Sequence, residues 1–98
     1  MKTFINSDLL NLFRQQLQLN LTALGKAIAA GDMKACGAVA HKGRGSALTF
    51  GFTELAQLFQ KVEEAAAAPG TTPDDLARCL AELDAAAARS SEKAAPPA

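Results

Sequence analysis

A single histidine stands among glycines and cations near the middle of the chain, in the segment AHKGRGSALT at residues 40–49. The 98 residues contain no second histidine, no Trp and no Tyr. An imidazole is largely uncharged near pH 7, and one ring nitrogen then carries a lone pair that can attack an electrophile. Lys42 and Arg44 follow closely and could pair with an anionic group such as a phosphate. The segment is therefore a candidate for nucleophilic chemistry at His41.

Small residues surround this histidine on the outer face of a predicted helix. Residues three and four positions apart share a helical face. Four such neighbours adjoin the imidazole: Gly37, Ala38, Arg44 and Gly45. Each glycine in the interior of a helix lowers helix stability by about 1 kcal/mol relative to alanine. Gly43 falls on the core side, where it would admit a neighbouring helix. Gly37 and Gly45 fall on the wet side, where they would give a partner macromolecule room to reach the ring.

Three other interpretations of these residues compete with nucleophilic chemistry. A lone histidine is most often an ordinary surface or capping residue, but the small neighbours and the cation at i+3 favour a function. The helices could form an interaction module that binds a partner without accepting phosphate. Nucleic-acid binding through Lys34, Lys42 and Arg44 is disfavoured, because few cations cluster and no aromatic residue lies between them.

The composition is that of one small globular domain. Hydrophobic residues make up 49% of the chain, charged residues make up 20%, and ten Lys and Arg balance ten Asp and Glu. Neutral chains of this kind do not attract nucleic acid strongly. No apolar run approaches the roughly 20 residues of a membrane span, and the N-terminus lacks the apolar core of a signal peptide. A cytoplasmic protein without membrane contact is expected.

Two helices are predicted in the first half of the chain. The first begins near Ser7 and Asp8 and ends at Gly31, with apolar residues spaced by three and four. That stripe consists of Leu9, Leu10, Phe13, Leu17, Leu21, Leu24 and Ile28. Asp32 is the predicted N-cap of the second helix, which ends near Phe50 and Gly51. Its predicted apolar side consists of Cys36, Val39, Gly43, Ala47 and Phe50.

Two further helices are predicted in the second half. The third runs from Phe52 to about Ala67 and buries Phe52, Leu55, Ala56, Phe59, Val62 and Ala66 while turning Glu54, Gln57, Lys61 and Glu64 to water. Thr72 is the expected cap of the fourth helix, with Pro73 at its first position and two acids in its first turn. Its stripe consists of Leu76, Leu80, Leu83 and Ala87.

These elements predict an all-α fold, because strand signals are nearly absent. Short connections and one apolar stripe per helix predict an antiparallel up-down-up-down four-helix bundle. Residues 1–5 are expected to form a short helical turn that lays Phe4 and Ile5 over one end of the core. Apolar periodicity is lost after about Ala88, so we expect the bundle to span residues 1–90 and residues 91–98 to form a frayed, disordered tail.

The two cysteines do not form a recognisable metal site. Cys36 and Cys79 stand alone, with no C-x-x-C spacing and no second histidine. Both lie among small or apolar neighbours, which favours two buried thiols that act as small hydrophobic residues. A disulfide stays open from sequence alone, although cytoplasmic redox conditions disfavour it.

The histidine segment resembles the histidine-containing phosphotransfer (HPt) domain of multistep two-component phosphorelays. That family has a histidine, two variable residues, Lys or Arg, Gly, then small residues, followed by an apolar-Gly-apolar step into the next helix. The matching residues are His41-Lys42-Gly43-Arg44-Gly45-Ser46-Ala47, Phe50-Gly51-Phe52, Leu55-Ala56, Phe59 and Glu63-Glu64. Two departures stand out: Gly43 replaces a larger apolar residue, and Arg44 stands where lysine is commoner.

The resemblance implies a function for the histidine. His41 would accept a phosphoryl group from an aspartate of one receiver domain and pass it to another, with Arg44 stabilising the phosphoryl group. Residues in contact with the receiver would be Gly37, Ala38, Lys42, Gly45, Ser46 and Leu48. The chain would be a phosphocarrier rather than an enzyme, because no G-x-x-x-x-G-K-[ST] nucleotide loop is present.

The same resemblance implies partners but no resident cofactor. The partners would be receiver domains of response regulators or hybrid histidine kinases, and the protein is expected to be a monomer. No metal site is expected in this chain, and Mg²⁺ would belong to the receiver's aspartate site. The sequence does not identify the receivers or the direction of phosphate flow.

Overall fold

The fold consists of four α-helices joined by short connections. We analysed a computed structural model of the chain, which describes the backbone of residues 7–94 and the side chains of residues 8–89. The helices are α1 (Ser7–Ala29), α2 (Met33–Thr49), α3 (Thr53–Ala67) and α4 (Pro73–Ala94). No strand occurs in this part of the chain. The predicted all-α class is therefore confirmed, with helix boundaries close to the predicted ones.

Side chains placed by the sequence define where two of the helices begin. The carboxylate of Asp32 accepts a hydrogen bond from the Ala35 backbone N–H at 3.0 Å, which satisfies one of the free donors at the start of α2. Thr72 and Asp75 cap α4 reciprocally, because each side chain accepts a hydrogen bond from the other residue's N–H. The hydrogen bond from the Thr72 backbone N–H lowers the pKa of the Asp75 carboxyl, because it stabilises the ionised form. Gly51, at φ +80°, makes the turn between α2 and α3.

Neighbouring helices pair in antiparallel register. Lys61 and Glu54 of α3 pair with Glu82 and Arg89 of α4, so the start of α3 lies beside the end of α4. The Phe13 ring near the start of α1 lies 4.7 Å from the Phe52 ring, just after the end of α2. The contacts α1–α2, α2–α3, α3–α4 and α1–α4 close the ring of helices. This arrangement is consistent with the predicted up-down-up-down bundle.

The core is formed mainly by the predicted stripes, several of whose residues are only partly buried. Its largest fully buried side chains are Phe59, Leu24, Leu55, Leu76, Leu83, Val62 and Cys36. Leu9 was predicted to be buried but is 46% exposed. It lies one turn before Phe13, whose ring already packs on Phe50 and Phe52 at this end of the bundle. On α2 the buried residues are Cys36, Ala40, Gly43 and Ala47, whereas Val39 and Phe50 of the predicted apolar side are partly buried beside the core.

The two cysteines are not joined by a disulfide. Cys36 and Cys79 are both free thiols, and burial raises the pKa of each.

The predicted turn at residues 1–5 and the last four residues of the predicted tail lie outside the described residues. α4 continues to Ala94, past the predicted boundary at residue 90. Within the described range no helix combines the length and apolarity needed to cross a membrane.

Gly43 is required by the packing of α2 against α3. A Cβ atom at this position would lie 2.5 Å from Cε1 of Phe59, a side chain with no solvent exposure. The Phe59 ring therefore occupies the space that a larger residue at position 43 would need. This contact explains why the chain carries glycine where the resembling family carries a larger apolar residue.

Gly43→Ala should destabilise the bundle despite the better helix propensity of alanine. Alanine gains about 1 kcal/mol of propensity, but forcing a methyl group against a buried ring costs more than this gain, so we expect a net loss of about 1–2 kcal/mol. Chemical denaturation of the variant measures this loss. The double variant Gly43→Ala/Phe59→Leu should lose less than the sum of the single variants. A single variant as stable as the parent would contradict the packing argument.

Candidate functional site

The imidazole of His41 projects into solvent from the middle of α2. Its side chain is 67% exposed, and the residue lies eight positions after the start and before the end of the helix. The prediction that the ring points away from the core is therefore confirmed. Regular helix on both sides holds the Cα position firmly, so the ring's orientation is decided by its hydrogen bonds.

Glu63 of α3 and Arg44 of α2 surround one edge of the ring. Nδ1 of His41 lies 2.9 Å from Oε2 of Glu63. The Arg44 Nε–H donates a hydrogen bond to the other carboxylate oxygen, Oε1, at 3.1 Å. A terminal nitrogen of Arg44 lies 3.3 Å from His41 Nδ1. One carboxylate thus joins the imidazole and the guanidinium across the α2–α3 interface.

These contacts assign a tautomer to the imidazole. Arg44 can only donate hydrogen bonds and an ionised carboxylate can only accept them. The shorter contact is to Glu63, so the Nδ1–H donates to the carboxylate and Nε2 carries the lone pair. In the described part of the chain no protein group lies within hydrogen-bonding distance of Nε2. Nε2 therefore faces solvent.

The close approach of α3 to α2 brings Glu63 to the histidine. Glu63 is one turn after Phe59, whose ring lies against Gly43. A Cβ atom on Gly37 would lie 3.7 Å from the Ala66 methyl group. Gly37 was predicted to lie on the wet side without a packing partner, and this was wrong, because it is half-buried beside α3.

The other predicted site residues lie on the outer surface of α2. Ala38, Lys42, Gly45 and Leu48 are exposed, and Leu48 is 56% exposed despite its apolar side chain. Ser46 is half-buried. A Cβ atom on Gly45 would meet nothing within 4 Å, so this glycine lies in open space one turn after His41. The bare surface predicted at Gly45 is confirmed.

Glu63 is the site residue to which sequence reasoning gave no function. The resemblance included it without a role, and Glu64 was placed on the wet face. A signal was present, because Glu63 lies one position after buried Val62 and four after Phe59, at the border of the apolar face. A carboxylate at such a border is positioned to reach a cation or a polar group on the next helix.

The site contains no cluster of metal ligands. Among the described residues no group of three or more His, Cys, Asp or Glu side chains could hold a metal ion. The groups that contact the His41 ring are the Glu63 carboxylate and the Arg44 guanidinium.

Comparison with known proteins identifies the family. The family model described as Hpt domain matches residues 8–90, which include every residue of the site. Neither a curated protein nor a solved structure matches the chain. Hpt domains are helical bundles that act as phosphocarriers in two-component phosphorelays. With a solvent-exposed imidazole on a four-helix bundle and a family match across most of its length, the chain belongs to the Hpt domain family.

Proposed function

We propose that His41 accepts a phosphoryl group from the phosphorylated aspartate of one receiver domain and passes it to the aspartate of another. The observation that carries this proposal is the orientation of the ring, with Nδ1 held by Glu63 and Nε2 facing solvent. A partner too large to enter the bundle can reach this nitrogen from outside. The family match supports phosphotransfer, and the receiver-to-receiver step is our proposal.

The transfer step needs no proton to leave the imidazole. The Nε2 lone pair attacks the phosphorus atom of the aspartyl phosphate, the N–P bond forms, and the P–O bond to the carboxyl group breaks. The aspartate leaves as a carboxylate with the electron pair. The ring, which keeps its Nδ1 proton, becomes cationic, and the Glu63 carboxylate at 2.9 Å offsets that charge. In the second transfer the acceptor carboxylate attacks phosphorus and the electrons return to Nε2.

We propose that Arg44 balances the negative charges of the site. Its guanidinium donates to Glu63 and lies beside Nδ1 of the ring. In this position it keeps the carboxylate from carrying an uncompensated charge next to an incoming phosphoryl group, and its remaining N–H groups can donate to phosphoryl oxygens. Mg²⁺, where required, would be supplied by the receiver's aspartate site.

The proposal is tested with receiver domains from the same genome. Each receiver is phosphorylated with a small phosphodonor, purified from the donor and mixed with this protein. We expect at least one receiver to lose its label as this protein gains an acid-labile label on the peptide that contains His41. A phosphoramidate bond to histidine is labile in acid but stable in alkali, whereas an aspartyl phosphate is hydrolysed in both, so the two labilities together identify the labelled residue type. If receivers bind the protein but none labels it, the alternative function as a non-catalytic interaction module is supported instead.

Gly45→Leu should slow transfer while leaving the bundle folded. Leucine has room at this position and improves helix propensity by up to about 1 kcal/mol, so stability should not fall. The added side chain lies one turn from His41 and obstructs a docking receiver. We therefore expect phosphoryl transfer to slow about tenfold. Gly45→Ala, which adds only one methyl group, should cost much less. An unaltered transfer rate in the leucine variant would show that the receiver does not need glycine at position 45 to reach His41.

A further inference from the structure

A second stripe of residues follows the outer side of α1. Its positions are spaced alternately by three and by four, and they are Leu9, Leu12, Gln16, Leu19, Ala23 and Lys26. All six residues are exposed, and Leu19, at 66%, is the most exposed large hydrophobic residue of the described chain. The core side of the same helix uses other positions, namely Phe13, Leu17, Leu21, Leu24, Ala27 and Ile28. We call the six exposed residues the outer α1 stripe.

The spacing of the outer α1 stripe is that of a coiled-coil seam. Alternating steps of three and four make a heptad, in which the two seam positions pack against a second helix. Leu12 and Leu19 are one heptad apart, and Leu9 holds the other seam position three residues before Leu12. One exposed leucine is ordinary on a protein surface, but three in this register on one helix are typical of an interaction surface.

Charge is nearly absent from this side of α1. Residues 9–25 contain one charged residue, Arg14, whereas residues 53–89 contain seven acidic and three basic ones. Arg14 lines a groove against α4 and lies about 160° round the helix from Leu12. The exposed residues beside the leucines are uncharged: Gln15, Gln16 and Thr22. Charged residues are depleted from the centres of protein interfaces, so composition and spacing indicate the same surface.

The charges at the two ends of α1 distinguish between two orientations of a second copy. Asp8 lies in the first turn and Lys26 in the last, and both are exposed. They are five whole turns apart at 3.6 residues per turn, so they project from the same side of the helix. Parallel helices would place like charges together at each end. Antiparallel helices bring Asp8 of each copy towards Lys26 of the other, which is favourable.

We propose that a second copy of this chain packs on the outer α1 stripe, with the two α1 helices antiparallel. Leu12 of each copy lies opposite Leu19 of the other. The amides of Gln15 and Gln16 meet at the centre, where they can donate and accept hydrogen bonds across the two-fold axis. This proposal concerns self-association and does not depend on the relay.

The length of α1 sets the strength expected of this dimer. The helix has 23 residues and is therefore about 34 Å long. One pair of helices of this length is a small interface, of the class that buries less than about 1,200 Å² and binds weakly. We expect a reversible dimer with a Kd of about 0.1 mM. The monomer implied by the family resemblance is then the form present at low protein concentration.

Sedimentation equilibrium of the full chain, from about 10 μM to about 1 mM, tests the dimer. The mean mass of the parent should rise towards that of two chains. Leu19→Ser removes one leucine from each copy and should weaken self-association at least about tenfold. Leu48→Ser makes the same change at a 56% exposed leucine of α2, outside the stripe, and should leave self-association unchanged. A parent that stays monomeric, or equal weakening by both variants, would overturn the dimer.

Reversing the two end charges tests the antiparallel orientation. Asp8→Lys and Lys26→Asp should each weaken self-association about three- to tenfold at low salt, and the double variant should recover it. Both reversals oppose the helix dipole, so the double variant is the least favourable for α1 itself. Recovery can therefore come only from pairing between copies. A double variant as weak as the single ones would overturn the antiparallel arrangement.

A receiver is the other possible occupant of the outer α1 stripe. If the parent stays monomeric and Leu19→Ser weakens the binding of a receiver, the stripe belongs to the receiver and the dimer is overturned. The sedimentation measurements contain no receiver, so failure of the dimer and failure of the relay are distinguishable.

Discussion

His41→Gln should abolish phosphate acceptance while the bundle stays folded. In the proposed transfer Nε2 of His41 forms the N–P bond, and a glutamine amide has no comparable nucleophile. The side chain is 67% exposed, so the free energy of unfolding should change by about 1 kcal/mol or less. Glutamine also preserves helix propensity in the middle of α2.

Labelling and binding must be measured together for this variant. A phosphorylated receiver should transfer no acid-labile label to His41→Gln, yet the variant should bind the same receiver with nearly the parent affinity, because the exposed residues around position 41 are unchanged. Circular dichroism and thermal unfolding provide the control for folding. Labelling at the parent level would remove His41 from the proposed role.

Glu63→Ala should have the second largest effect. Without the carboxylate, Nδ1 loses its acceptor, the ring loses its preferred tautomer and rotamer, and the cationic phosphorylated ring loses its counter-charge. Removing the aspartate that orients a catalytic histidine costs about 10⁴-fold in serine proteases. His41 is itself the nucleophile and is exposed to water, which can replace part of the lost hydrogen bond, so we expect a loss of about 10- to 100-fold in the rate of transfer.

Two further variants separate orientation from charge. Glu63→Gln keeps an oxygen that can accept from Nδ1 but removes the negative charge, so its transfer rate should lie between those of the parent and Glu63→Ala. Glu64→Ala makes the same truncation at the adjacent residue, whose carboxylate binds Gln60, and should leave transfer unchanged. The ¹⁵N shifts of the imidazole report the tautomer directly. A parent-like tautomer and rate in Glu63→Ala would show that this carboxylate only stabilises the fold.

Helix positions could be predicted because their causes are local. Asp32, Thr72 and Pro73 stand where an N-terminus needs a cap, and the apolar spacing of three and four defines which face is buried. Exposure of His41 followed from the same periodicity, because buried Gly43 and Ala47 fix the opposite face of α2. Each of these properties depends on residues within one or two turns of the chain.

Contacts between helices could not be predicted from periodicity. Leu9 has the spacing of a core residue, yet the Phe13, Phe50 and Phe52 rings already close that end of the bundle. Gly37 resembles a surface gap on a helical wheel, but its exposure depends on how closely α3 approaches. The angle and distance between two helices are set by the side chains of both, and one helix considered alone does not contain them.

The sequence by itself determined the four helices, their capped ends and an exposed histidine followed by a cation, because these depend on backbone and side-chain preferences over a few residues. The tertiary structure decided which nitrogen of His41 is held by a hydrogen bond and which faces solvent. Glu63 lies 22 positions further along the chain and acts on the ring only because Gly43 accommodates the Phe59 ring at the α2–α3 interface. The orientation of the imidazole is thus a property of packing between helices.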